Sequence, residues 1–124
     1  MTSNLFAGLP STVTVDEQFA TFLQRPGLRI VRIVSTGQAS PEGFWYDQDE
    51  GEWVTLLQGE AKLRFADETD ARHLRAGDCL DIAAHRKHRV DWTAPDQVTV
   101  WLTVFYSATS ITPGPTTPVT LIPA

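Results

Sequence analysis

From Leu28 to Tyr106 the chain alternates apolar stretches of four to nine residues with short clusters of turn-forming residues. The stretches are LRIVRIVS (28–35), GFWYD (43–47), EWVTLLQ (52–58), AKLRF (61–65), RHLR (72–75), CLDIA (79–83), HRVDWT (88–93) and VTVWLTVFY (98–106). Between them lie TGQ, Gly59-Glu60, ADETDA, AGD and APDQ, whose Gly, Pro and Asp content suits reversals of the backbone. Each stretch is too short for a helix and several alternate apolar with polar residues. In AKLRF, Ala61, Leu63 and Phe65 share one face and Lys62 and Arg64 the other. Strands this closely spaced, with no helix among them, predict an all-β sandwich or barrel of antiparallel strands. A length of 124 residues suits one domain with a modest core.

Segments on either side read differently. In residues 1–27, Asp16 is placed to cap a short helix over EQFATFLQ, with Phe19, Phe22 and Leu23 on one side and Pro26-Gly27 as its stop. The barrel then occupies 28–106. Residues 107–124 hold four of the chain's eight prolines and are read as an extended arm, incapable of a helix or an interior strand. In VTVWLTVFY, one face carries Val98, Val100, Leu102 and Val104. The other carries Thr99, Trp101, Thr103 and Phe105, too apolar for open solvent. A second sheet, the N-terminal segment or a partner subunit has to cover it, and a homodimer is expected on that ground.

Charge narrows the function classes. The formal charge of −5 and the absence of a basic stripe, HRKHR (85–89) apart, argue against nucleic acid as a partner. No apolar run is long enough to cross a bilayer, so no membrane role is expected. The first residues lack a basic stretch followed by an apolar one, and the single cysteine, Cys79, has no internal disulfide partner. The cytoplasm is the expected location.

The run GFWYDQDEGEWVTLLQG sets four carboxylates among bulky apolar residues. Asp49, Glu50 and Gly51 read as a solvated reversal. Glu52 begins an apolar strand and shares a face with Val54 and Leu56, which puts a carboxylate at the mouth of the interior. Asp47 falls out of phase with Gln48 and receives no role. Downstream, His88, Val90 and Trp92 share a face by the same alternation. Gln48, Glu52 and His88 can therefore converge, either on a divalent transition metal or as a hydrogen-bonded pocket for a small ligand. Tyr46, Val90 and Trp92 are the expected pocket lining, and His85 a candidate proton shuttle at its mouth.

These residues resemble the two motifs of the cupin superfamily. The first motif is Gly, five residues, His-any-His, three or four residues, Glu, six residues, Gly. Glu52 and Gly59 stand at the required separation, whereas Tyr46 and Gln48 occupy the two histidine positions and Ser40 the leading glycine. The second is Gly, five residues, Pro-any-Gly, two residues, His, three residues, Asn. Gly77 and His88 match it, while Ala83, His85 and Trp92 replace its Pro, Gly and Asn. More narrowly, WYDQDEGEWV is similar to a group of small bacterial single-domain cupins without an assigned reaction. The resemblance implies a conical antiparallel barrel, or double-stranded β-helix, often dimeric. It also implies a metal site in which this chain keeps Glu52 and His88 and offers Gln48, with zinc, manganese, iron or nickel as the ion. Cupins include dioxygenases, isomerases, lyases and decarboxylases as well as binding modules. Two functions stay open: a metal-dependent enzyme on a small polar metabolite, or a metal-free module that senses or sequesters a small ligand.

Overall fold

The computed structural model describes residues 2–108, so all but the first two residues of the proline-rich arm lie outside the description. Eight strands form two antiparallel sheets. They are β1 (Gln18–Arg25), β2 (Leu28–Ser35), β3 (Glu50–Gln58), β4 (Glu60–Phe65), β5 (Arg72–Arg75), β6 (Cys79–Ile82), β7 (His88–Thr93) and β8 (Thr99–Ser107). One sheet has the order β1-β2-β8-β3-β6 and the other β5-β4-β7. The β-branched run of β2 pairs along its whole length with β8, from Leu28 opposite Tyr106 to Ser35 opposite Thr99.

The core lies between the sheets. Val54, Leu56, Ile82 and Trp101 from the larger sheet pack with Ala61, Leu63, Phe65 and Leu74 from the smaller. Leu56, Ala61 and Phe65 are fully buried. Removing a side chain of that size from such a core costs on the order of 3–5 kcal/mol, because the neighbours only partly close the void. The face Thr99, Trp101, Thr103 and Phe105 looks inward, and the second sheet is what covers it. Trp101 and Phe105 both line the interior, so a partner subunit is not needed to cover them.

Two expected elements differ. Residues 18–25 are not a helix: they form β1, paired with β2 from Gln18 opposite Val34 to Arg25 opposite Leu28. Pro26-Gly27, read as a helix stop, is the turn of a hairpin. Phe19, Thr21 and Phe22 are good strand residues, and the edge of β2 otherwise presents unpaired amides and carbonyls to which a strand can add. One extra residue, a bulge between Thr21 and Leu23, breaks the strand alternation there. Its effect on the sequence pattern was to mimic a helical face. Residues 43–47 are not a strand either. They touch the free edge of β7 at a single antiparallel bridge, Tyr46 opposite His88.

Candidate functional site

That bridge builds the site. Tyr46 N donates to His88 O at 2.7 Å, His88 N to Tyr46 O at 3.1 Å, and Ser40 N to Val90 O at 2.8 Å. Arg89 reaches back from β7 to the carbonyls of Ser40, Pro41 and Phe44 and is steadied by Asp91 at 2.7 Å. The segment 40–48 is thereby clamped along β7, and Tyr46 and Gln48 face the space between the sheets. From the other sheet, β3 delivers Glu52, paired with Phe105 of β8 on one side and Ile82 of β6 on the other.

A cavity of about 250 Å³ opens there, lined by Tyr46, Gln48, Glu52, His88 and Val90. Arg29, Trp101, Thr103, Phe105 and Glu17 complete much of its wall. His88 is 4% exposed and Glu52 8%. His88 Nδ1 lies 2.8 Å from the carbonyl oxygen of Arg86. A carbonyl only accepts, so Nδ1 carries the proton and Nε2 is left facing Glu52 Oε1 at 3.4 Å. The Tyr46 ring stacks on the imidazole, 5.4 Å between centroids. Burial raises the Tyr46 pKa above its ordinary value, and the charges of Glu17 and Glu52 raise it further. Without a metal beside it, the phenol keeps its proton and serves as a hydrogen-bond donor.

Trp92 is not in the cavity wall. The pairing of β4 with β7 slips by one residue, so that Leu63 faces Val90 while Lys62 faces Trp92. The extra residue, Asp91, bulges to meet Arg64 and Arg89. Past it the strand's inside and outside exchange. Trp92 accordingly lies beside Lys62 and His73 on the outer surface. His85 is also outside, its side chain 61% exposed. Its ring bridges Asp47 at 2.8 Å and Asp49 at 3.1 Å, and its amide binds Gln48 O at 2.8 Å. It props the segment that carries Gln48 and supplies a partner for Asp47. Arg86 of the same basic run engages Asp67 and Glu68.

Glu17, Arg29 and Thr103 were not singled out from sequence. Arg29 and Thr103 had a signal in the inward parity of β2 and β8. Glu17 had none, because it precedes a strand that read as a helix.

Neither the comparison with protein-family models nor that with curated proteins finds a match. Solved structures do match. A protein of Ralstonia eutropha JMP134, named as a candidate mannose-6-phosphate isomerase, is 46% identical over 87% of this chain and 99% of its own, with a TM-score of 0.84. A cupin superfamily protein of Desulfitobacterium hafniense DCB-2 is 18% identical over 84% and 89% of the two chains, TM-score 0.66. The chain belongs to the cupin superfamily. An RmlC-like cupin of Methanocaldococcus jannaschii with a double-stranded β-helix fold, 13% identical over 76% and 83%, TM-score 0.62, shares the same architecture. Within that architecture this cupin presents one imidazole at its metal-motif positions, with glutamine and tyrosine where the first motif has its histidines. Among the described residues no three His, Cys, Asp or Glu side chains are grouped as a metal cage. No helix there is long and apolar enough to cross a membrane.

Proposed function

We propose that this cupin binds a divalent transition metal with Glu52, His88 and Gln48 and holds a small organic molecule beside it. The observation that carries the reading is the facing of His88 Nε2 and Glu52 Oε1, 3.4 Å apart at the buried end of the cavity. With Nδ1 occupied by the Arg86 carbonyl, both facing atoms offer lone pairs, and a cation between them satisfies both. Gln48 adds a neutral amide oxygen from the same wall. An oxygen-and-nitrogen donor set of this kind suits zinc, manganese, iron or nickel. Bound there, such an ion supplies Lewis-acid polarisation of a ligand oxygen. The protein's own part is to exclude water with Trp101, Phe105 and Val90 and to donate the Tyr46 proton as a hydrogen bond. An isomerase, a lyase or a dioxygenase fits that arrangement, and the 46% identical relative, named for a phosphosugar, offers one substrate class to test.

The second reading is a metal-free ligand-binding module. A specific observation favours it: a single imidazole and one carboxylate make a lean donor set, and a shared proton between them also satisfies the pair. Elemental analysis of untagged protein, with Glu52→Gln beside it, separates the two. About one equivalent of metal in the wild type and a loss of tenfold or more in the variant is the expected result. Background metal in both, after incubation with each of the four ions, transfers the reading to the metal-free module.

A further inference from the structure

The cavity holds more negative charge than the Glu52–His88 pair accounts for. Glu17, just ahead of β1, lines the same wall. Its Oε2 accepts a hydrogen bond from Ser35 Oγ at 2.8 Å, and Ser35 Oγ accepts one from Trp101 Nε1 at 3.1 Å. Ser35 is fully buried, so this relay fixes the carboxylate from behind and leaves its remaining lone pairs toward the cavity. The charge of Glu17 reaches across to Tyr46, where it opposes ionisation of the phenol together with Glu52. Among the lining residues the one guanidinium, Arg29, is already committed. It pairs with Glu50 at 2.8 Å and lies over the Phe105 ring, 4.1 Å from its centroid. A separate observation concerns Thr103. It is fully buried in the cavity wall, yet its hydroxyl has no hydrogen-bond partner among the described residues. The hydroxyl has no accessible surface, so it is an unmet group within the wall and not a contact open to a ligand.

We propose that Glu17 is a ligand-recognition residue and that the metal-free cavity takes a compact organic cation in preference to a phosphorylated sugar. This deepens the proposed function, resting on the cavity as the ligand site but not on the metal. Glu17 is half-buried beside Phe19, Trp101 and Phe105, so a cation that reaches its carboxylate also meets aromatic faces, which add to the attraction. A phosphate dianion there meets two carboxylates and no uncommitted cationic side chain of the wall. A divalent ion at Glu52 and His88 brings two positive charges against the two carboxylates, so the preference against phosphate belongs to the metal-free cavity.

The test uses the full chain, as purified and metal-free, titrated by NMR with three probes that are ranked in the metal-free form. Choline is the cation, 3,3-dimethylbutan-1-ol its neutral isostere, and mannose 6-phosphate the phosphosugar; metal content is measured on the same samples. Choline is expected to shift the resonances of Phe19, Tyr46 and Trp101 and to bind at least about tenfold more tightly than the alcohol, with mannose 6-phosphate weakest. In Glu17→Gln the choline-to-alcohol ratio falls toward one, while Glu17→Asp, which keeps the charge, restores part of it. Both variants are checked for an unchanged Tm. Equal binding of choline and the alcohol overturns the proposal. So does discrimination that survives in Glu17→Gln, tighter binding of mannose 6-phosphate, or no response to choline at millimolar concentration. Absence of metal from the samples counts against the metal site alone and leaves the probe comparison standing.

Discussion

Tyr106 shows how one residue position can depend on another that sequence parity does not connect. Its hydroxyl donates to Asp81 of β6, although β3 lies between the two strands in the sheet. The ring crosses β3 over Gly51, where an added Cβ would stand 2.3 Å from the ring carbons. Gly51 thus belongs to a paired strand and not to a solvated reversal, and Glu50 beside it pairs with Arg29. The Asp81 hydrogen bond, then burial, then the Asp81 charge push the Tyr106 pKa up to about 12. A folded-state pKa above the unfolded value means that the folded protein holds the proton more tightly. The stabilisation is therefore complete below pH 10 and is lost as pH rises through about 12. In a titration of absorbance at 295 nm, the phenolate signal missing from Tyr106→Phe should develop near pH 12 and not near the ordinary 10.0. The stability gap between the two proteins should close over the same interval in urea unfolding. A signal developing at 10.0 removes the Asp81 clamp from the account. His85 is a second case: it adopts φ 62°, a left-handed conformation, at the position where the cupin motif has glycine. Its contacts to Asp47 and Asp49 compensate a backbone that a non-glycine residue rarely takes.

At the scale of elements, two single-residue irregularities decide where side chains go. The Asp91 bulge turns Trp92 out of the cavity, and the bulge in β1 gives a strand the spacing of a helix face. Gly59 is a third device. It is the single residue between β3 in one sheet and β4 in the other, with φ 91°, and its Cα faces Thr99 so closely that a Cβ would lie 2.6 Å from the Thr99 Cα. Both the conformation and the contact reject a side chain, and the obstruction is backbone that cannot rotate away. Gly59→Ala is expected to cost about 3 kcal/mol or more, read as a lower midpoint in urea unfolding. A loss under about 1 kcal/mol would mean that the crossing between the sheets relaxes freely.

For the whole molecule, the closing of one sheet over the other leaves a different face open than the alternation of VTVWLTVFY first suggested. Register places Ile30 and Trp53 either side of Val104, with Leu102 opposite Thr55, on the outer surface of the larger sheet. Ile30, Trp53, Leu102 and Val104 are all only half-buried. A homodimer, if it forms through the broad apolar surface of this chain, uses that outer face, and we propose that it does. Sedimentation equilibrium should give a dimer for the wild type and a monomer for Val104→Lys, with choline binding unaltered. A wild-type monomer at tens of micromolar sets the dimer aside, and a Val104→Lys dimer moves it to another surface.

The sequence by itself determined the all-β class, the positions of β2, β5 and β7, and the nearness of Gln48, Glu52 and His88. Those follow from period-two patterning, turn chemistry and motif spacing, which are local in the chain. It did not place Trp92, β1 or Glu17. A bulge inserts one residue without changing composition, and an unpaired sheet edge can override a helical pattern, so both are decided by pairing with a distant strand. The cavity's charge was likewise decided by the tertiary structure alone. Glu17 comes from before the barrel and Ser35 from β2, and only the closed fold brings them to the Trp101 indole and makes the carboxylate part of the site.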